Sequence, residues 1–262
     1  MGHSSTKVTP GEQPRIMDPV FLKKPRRLSI IIPVLNEASV IAQTLASLQP
    51  MRKRGVEVIV VDGGSQDSTV VRCMSRVDRF LSSPPGRARQ MNVGARHAQG
   101  EILVFLHADT LLPDDADLII ERALTASVKS HKIPVDHSHD RPAWGRFDVA
   151  IDGRHWMLMI IAFMMNMRSR LTHICTGDQT IFMIWHTFDT TGGFPEQPLM
   201  EDIALSSRLK KRIPPVCLRH KVRTSGRRWE KHGVWRTIWL MWELRWRYWR
   251  GESASNLAKR YR

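Results

Sequence analysis

Short continuous runs of branched apolar residues, separated by segments of helical spacing, constrain this chain more than any other feature. Leu28-Ser-Ile-Ile-Ile, closed by Pro33, and Val56 to Val61 are apolar without alternation, the pattern of strands buried on both faces of a parallel sheet. Val77 to Leu81 is a weaker third run and Ile102 to Leu106 a fourth. Between them, Val40, Ile41, Leu45 and Leu48 recur at helical spacing within 38–49. A further helix is expected from Asp67, and another over Gly86 to His97, broken by Gly100; Pro113 opens the next. Strands alternating with helices at this spacing predict an α/β fold, a doubly wound parallel sheet flanked by helices.

In such sheets ligands sit beyond the carboxyl ends of the strands. Glu37, Asp62 and Asp109 all stand at or just past those ends. Each has an ordinary reading as a turn former or helix cap. Their shared placement favours a site, because turn formers have no reason to converge on one edge.

The chain of 262 residues is long enough for one α/β domain or two small ones, and its 42% apolar content excludes general disorder. A formal charge of +15 implies anionic company: nucleic acid, anionic lipid or phosphorylated substrates. Cys73, Cys175 and Cys217 are far apart and lack metal-ligand spacing, so they read as reduced thiols of a cytosolic protein. No segment reaches the ~18 apolar residues of a membrane span. The nearest, Trp156 to Met165, suits a buried or interfacial helix. The N-terminus lacks the apolar run of a secretory signal; its Gly2 and Thr6 fit a myristoylation pattern, but an ordinary disordered tail is the favoured reading.

The strings Pro33-Val-Leu-Asn-Glu37, Val58-Ile-Val-Val-Asp62-Gly-Gly-Ser-x-Asp67-x-Thr69 and Phe105-Leu-His-Ala-Asp109 resemble family-two glycosyltransferases of the GT-A fold. Gly192-Gly-Phe-Pro and Leu199-Met-Glu-Asp202 resemble the acceptor half of that family, and Arg227-Arg-Trp229 its RW element. The resemblance covers about residues 28–230 in the expected order. Residues 107–109, 144–148, 176–179 and 228–237 are similar to a bacterial-type subgroup labelled arsenosugar-biosynthesis glycosyltransferases. The domain organisation that follows is a basic tail over 1–27, a catalytic domain over 28–230 and a Trp/Arg-rich helical extension over 231–262.

The resemblance implies transfer of a sugar from a nucleotide-sugar donor to an acceptor that the sequence does not name, with inversion, and a divalent cation, Mg²⁺ or Mn²⁺. A leaving diphosphate gains negative charge, and a hard cation with oxygen ligands neutralises it. By the family motif Asp109 is the metal ligand and Asp62 accepts from the nucleobase, with Pro33, Leu35, Glu37, Gly63, His107 and Ala108 completing the donor pocket. Arg87 and Arg89 read either as forked phosphate donors or as a solvated helix face. His107 departs from the common Asp-x-Asp pattern; an imidazole supplies no negative charge to a metal, although the subgroup shares it. Asp202 is the candidate general base for the acceptor hydroxyl, competing with a helix-cap role, and Asp178 is its rival. Glu201, Gly177, Trp144 and Arg146 are assigned to the acceptor pocket, Trp144 being nearly as well explained as core. Arg227, Arg228 and Trp229 are assigned to the diphosphate or product.

Trp235, Trp239, Trp242, Trp246 and Trp249 recur at spacings of four, three, four and three, one continuous helical stripe beside Arg236, Arg247 and Arg250. Packing on the catalytic domain is the favoured reading of that stripe. Peripheral contact with the cytosolic face of a membrane is the alternative. His131, His137 and His139 read as a solvated loop without a ligand frame. Two other functions compete: a nucleotidyltransferase, which lacks its Gly-rich basic loop here, and a lipid- or nucleic-acid-binding module, which leaves the carboxylates at the strand ends unexplained. Nucleic acid is accordingly not favoured as a partner, and the oligomeric state is left open.

Overall fold

The computed structural model describes residues 27–130 and 143–261. The basic tail with Gly2 and Thr6, and the segment with His131, His137 and His139, lie outside the described residues. The chain runs β1 (Leu28–Val34), α1 (Ala38–Lys53), β2 (Glu57–Asp62), α2 (Thr69–Cys73), β3 (Arg79–Ser82), α3 (Arg87–His97), β4 (Ile102–Phe105), β5 (Thr110–Leu111) and α4 (Ala116–Ser130). It continues through β6 (Trp144–Asp152), α5 (Met157–Thr172), β7 (Ile181–Ile184), α6 (Trp185–Thr191), α7 (Glu201–Leu209) and β8 (Val216–Ser225). Three helices close it: α8 (Arg227–His232), α9 (Val234–Trp249) and α10 (Ala254–Tyr261).

One sheet carries the strands in the order β3-β2-β1-β4-β7-β6-β8-β5. The first four are parallel, as the uninterrupted apolar runs require. All six residues of β2 are buried, and Ile30, Ile32, Val58 and Val60 belong to one core layer while Ile31, Ile59 and Val61 belong to the other. Gly94 lets α3 lie close on that second layer, since a Cβ there would stand 2.4 Å from Ile31 Cγ2. The register aligns Val34 with Asp62 and Ile31 with Phe105, so β1, β2 and β4 end on one edge.

The other half supplies the antiparallel pairings of this mainly parallel sheet. β7 pairs antiparallel with β4 and β6, and β5 pairs antiparallel with β8. β8 itself runs parallel to β6, with an irregularity between Phe147 and Asp148. α1 also outruns its expected end, continuing through Pro50 to Lys53.

Two expectations for the apolar helices are corrected. Of the buried and interfacial readings of Trp156 to Met165, full burial does not hold: Trp156, just before α5, and Met159, Phe163 and Met164 on α5 are exposed, while Met157, Leu158 and Ala162 face inward. The tryptophan stripe of α9 does not pack on the domain either, because all five rings lie 54–83% exposed. The inward face is the opposite stripe, where Leu240, Leu244 and Tyr248 pack with Met200, Ile203, Leu257 and Tyr261. Among the described residues no helix is long and apolar enough to cross a membrane.

Cys73 and Cys175 are fully buried in the two layers, and Cys217 is half-buried. Burial, with a contribution from the Asp62 charge, pushes the Cys73 thiol up to about 11, and burial pushes Cys175 up to about 12. Only thiolates attack disulfide reagents. Titration with Ellman's reagent at neutral pH should therefore find one reactive thiol in the native protein and three in guanidinium. Three in the native state would contradict this packing.

Candidate active site

The loops that follow β1 and β2 lock together. Asn36 N–H donates to Ser65 Oγ (2.9 Å), Glu37 N–H to Thr69 Oγ1 (2.8 Å) and Ala38 N–H to Asp67 (3.1 Å). Beneath them the buried Gln90 amide of α3 donates to the carbonyls of both Val34 and Val61 at 2.8 Å, tying the two strand ends. This fastening presents Pro33 and Glu37 to a cavity of about 580 Å³. His107, Ala108 and Asp109 enter the same cavity from the end of β4.

The two-residue strand β5 joins the far end of the chain to this rim. Thr110 pairs with Thr224, and Ser225 N–H donates to the Asp109 carbonyl at 3.3 Å. Arg227, two residues on, is thereby held against the rim. Its Nη2 lies 3.3 Å from both Glu37 Oε2 and Asp109 Oδ2, and its Nη1 donates to Ser39 Oγ at 3.0 Å. Burial lifts the Glu37 carboxyl above its usual range; Arg227 opposes this, and the neighbouring Asp109 charge adds to it.

The same cavity holds a second charged group. His107 Nδ1 lies 3.3 Å from Asp178, on the short 3₁₀ turn Gly177–Gln179. Gly177 N–H donates to Asp202 Oδ2 at 2.7 Å. Burial alone would raise the Asp178 carboxyl, but the His107 hydrogen bond and charge, with Arg87 and Arg245, hold it below the usual range. Glu201 is buried at the start of α7 and lies 3.5 Å from Arg87; burial and the Asp202 charge hold its carboxyl above the usual range. A buried clamp positions this helix from behind: the Asn92 amide donates to the Phe194 carbonyl (2.8 Å) and accepts from its N–H (2.9 Å). The Asp202 carboxylate faces the cavity together with Asp178, Glu201, Arg227, Arg228 and Trp229.

Several expected site residues lie elsewhere. Trp144 is fully buried and donates its Nε1–H to the Ile213 carbonyl at 2.9 Å, so it is core. Arg146 is equally buried, with Asp148, the Phe147 carbonyl and the Asn166 carbonyl as partners. Arg170 grips the same Asp148 in a fork at 2.8 Å. Asn166 in turn accepts from Gln179 and Val149 N–H, so the 144–148 and 176–179 strings form one internal polar network. That network, rather than an acceptor contact, accounts for the Arg146 guanidinium being in the interior. Asp62 is buried and accepts from Gly64 N–H, Ser65 N–H and Ser65 Oγ–H, which shapes its loop. Gly63 packs on Gln90, Leu35 is exposed, and Arg89 pairs with Glu196 at 3.2 Å; none of the four lines the cavity.

The extension after 230 supplies wall residues that sequence reasoning missed. Met241, Arg245 and Tyr261 line the cavity. Arg228 stacks over the Tyr261 ring at 3.5 Å and donates to its carbonyl, which fixes α10 there. Arg245 sits inside the Trp/Arg stretch, where the tryptophan period hides it. Burial lowers its guanidinium despite the Asp202 and Asp178 charges.

Among the described residues no three His, Cys, Asp or Glu side chains cluster closely enough to hold a metal on their own. Asp109, beside Glu37, offers only part of a hard cation's oxygen shell, so the chain's own ligands fit an ion that a diphosphate helps to hold.

The strand order and the carboxylate rim at the strand ends define an α/β protein of the GT-A type. Residues 29–184, more than half of the chain, match the model of glycosyl transferase family 2, and the chain belongs to that family. Its sequence is 26% identical over 113 residues to an uncharacterised glycosyltransferase of Haemophilus influenzae, covering 40% of this chain and 44% of that one. It is 30% identical over 101 residues to glucosyl-3-phosphoglycerate synthase of Mycobacterium tuberculosis, covering 35% and 31%. The matches thus span less than half of each curated relative. In fold it is similar to residues 1–349 of TarS from S. aureus, with a TM-score of 0.56 at 17% identity over 76% of this chain and 60% of that one. A mannosyltransferase, PcManGT from Pyrobaculum calidifontis, gives 0.50 at 22% identity over 77% and 57%. Asp202, Arg227 and Arg245 lie beyond the family match, so their placement rests on geometry.

A Cβ at Gly177 would stand 2.2 Å from His107 Nε2. Gly177→Ala should therefore push the imidazole off Asp178 while leaving the sheet intact. A shifted His107 ring resonance in NMR, with a melting temperature lowered by only a few degrees (about 1–2 kcal/mol), is the expected result.

Proposed function

We propose that this chain transfers a sugar from a nucleotide-sugar donor to a hydroxyl acceptor with inversion. The observation that carries this reading is one cavity with two charged ends. Glu37, Asp109 and Arg227 form one group at the strand edge, and Asp202 and Asp178 line the same cavity as a second. The donor's diphosphate belongs at the first end, where Arg227 is its forked partner and Arg87 reaches it from α3. A divalent cation, Mg²⁺ or Mn²⁺, held by Asp109 with diphosphate oxygens and water, would supply charge neutralisation for the leaving group. The P. calidifontis mannosyltransferase was solved with GDP-Man and Mn²⁺, which supports a donor and an ion of this kind.

Asp202 acts as general base. It takes the proton of the acceptor hydroxyl as that oxygen bonds to the anomeric carbon and the bond to the diphosphate oxygen breaks. Gly177 N–H holds Oδ2, leaving Oδ1, which also accepts from Ile203 N–H, toward the hydroxyl. Asp178, bound to His107, orients that imidazole. Asp62 uses its remaining lone pairs on the nucleobase, with the loop it shapes as the base's ledge.

The catalytic unit covers 28–230, and the extension over 231–262 closes the acceptor side through Met241, Arg245 and Tyr261. Placement in the subgroup labelled arsenosugar-biosynthesis glycosyltransferases rests on the strings at 107–109, 144–148, 176–179 and 228–237. Three free thiols fit a cytosolic setting.

Asp109→Ala should abolish transfer and Mn²⁺-dependent donor binding, and full activity would remove Asp109 from the metal. Asp202→Asn should keep donor affinity and lose turnover by at least ~10²-fold. Calorimetry that shows donor binding lost in that variant instead would exclude the base role. In a thermal-shift panel of nucleotide sugars with Mn²⁺, the true donor at a hundred times its Kd should add roughly 2.7 kcal/mol of stability.

A further inference from the structure

Among the described residues, the largest exposed apolar side chains gather on α9 and α5, which border the cavity. On α9 the five tryptophans cover about 21 Å of helix along one line, at 1.5 Å per residue. Opposite them, Leu240, Leu244 and Tyr248 hold the helix to the protein, so the rings point outward. Met159, Phe163, Met167 and Leu171 form a second outward stripe on α5, at helical spacings of four. The two helices approach one another at the cavity. Met165 of α5 and Met241 and Arg245 of α9 line it, and the Arg245 charge helps, after burial, to lower the Arg168 guanidinium of α5 to about 10. Apolar surface of this extent marks an interaction site in a water-exposed protein.

Charge decides the occupant. α5 carries no acid; its Arg170 is held by Asp148 and the Arg168 guanidinium is buried, so neither adds a free charge to the outer face. On α9 and its cap residue Arg236 and Arg250 are exposed beside the rings, whereas Arg247 is paired with Glu243 at 2.7 Å and with Glu252 at 3.2 Å, and Arg245 lines the cavity. A second copy would set one cationic face against another in a chain of net charge +15. Tryptophan flanked by arginine matches the boundary of an anionic bilayer, with rings at headgroup depth and guanidinium groups on lipid phosphate. Arg250 already stacks over the Trp246 ring at 4.8 Å, which presents cation and ring together.

We propose that the outward faces of α9 and α5 seat this protein on an anionic membrane surface, with the cavity beside the bilayer. This stands apart from the transfer reading, because binding is measured without a donor or an acceptor.

The full-length chain is mixed with vesicles of phosphatidylcholine, with and without about a quarter phosphatidylglycerol, at low salt. The expected result is co-sedimentation with the anionic vesicles, a blue shift of tryptophan emission and quenching by brominated acyl chains. Trp239→Glu with Trp242→Glu, at two rings that touch solvent, should cut partition at least about tenfold and abolish the blue shift, with an unchanged circular-dichroism melt. Wild-type chain that stays in the supernatant overturns the proposal, as does a double variant that partitions like the wild type. Loss of binding on deleting residues 1–26 alone, with the double variant unaffected, would assign binding to the tail and also overturn it. A dimer in light scattering that the double variant dissociates, without vesicle binding by the wild type, would give the face to a second copy.

Discussion

The arrangement depends on one guanidinium held between two carboxylates. Glu37 and Asp109 come from different strand ends, and each lies 3.3 Å from the same nitrogen of Arg227. Two partly buried carboxylates at that separation repel, and Glu37 shows it in a carboxyl raised by burial and by the Asp109 charge. Arg227 reaches them only because β5, two residues long, pairs with the end of β8. The pair is partly open to solvent, so its value for stability is modest. Its consequence is positional: it joins the parallel half of the sheet, which the family match covers, to the segment that completes the cavity. In the proposed reaction an incoming diphosphate competes for the same guanidinium, so donor binding and release of the carboxylates are one event.

The second charged group is built by close approach as well as by ion pairing. Gly177 brings its turn against His107, and its N–H fixes Asp202. Asp178 then faces the imidazole, so the histidine at the first position of the rim motif finds its partner within the chain. An aspartate at His107 would face Asp178 as a like charge. The His107–Asp178 pair is therefore electrostatically self-consistent, and the departure from Asp-x-Asp fits the rest of the site.

What was legible in the sequence follows from what periodicity can report. The β1, β2 and β4 runs are buried on both faces, so they are continuous in apolar residues and read directly, and the acids after them mark the ligand edge. The join between β5 and β8 was not legible, since a two-residue strand has no period. Trp144 and Arg146 were misplaced because residue type does not report which side of a strand faces a cavity; Arg146 is internal by virtue of Asp148 and Asn166, which no spacing rule connects. The tryptophan stripe failed differently. α9 has two apolar faces, and a moment cannot say which is inside. The Leu240–Leu244–Tyr248 face packs because smaller side chains let the helix approach Met200 and Leu257.

That packing makes the extension part of the site rather than an appendage. Met200, at the left-handed position before α7, is held by Leu244 of α9 and Leu257 of α10. The next two residues are Glu201 and Asp202. The docking of α9 and α10 thus fixes the entry angle of the helix that carries the proposed base, while Arg245 and Tyr261 from the same helices line the opposing wall. Any force that shifts α9, including the seating of its tryptophans on a membrane, acts on Met200 through Leu244 and so on the position of Asp202. If both proposals hold, acceptor geometry and surface attachment are linked through Leu244 and Met200, whereas the end lined by Glu37 and Asp109 is held separately by the Gln90 and Arg227 fastenings.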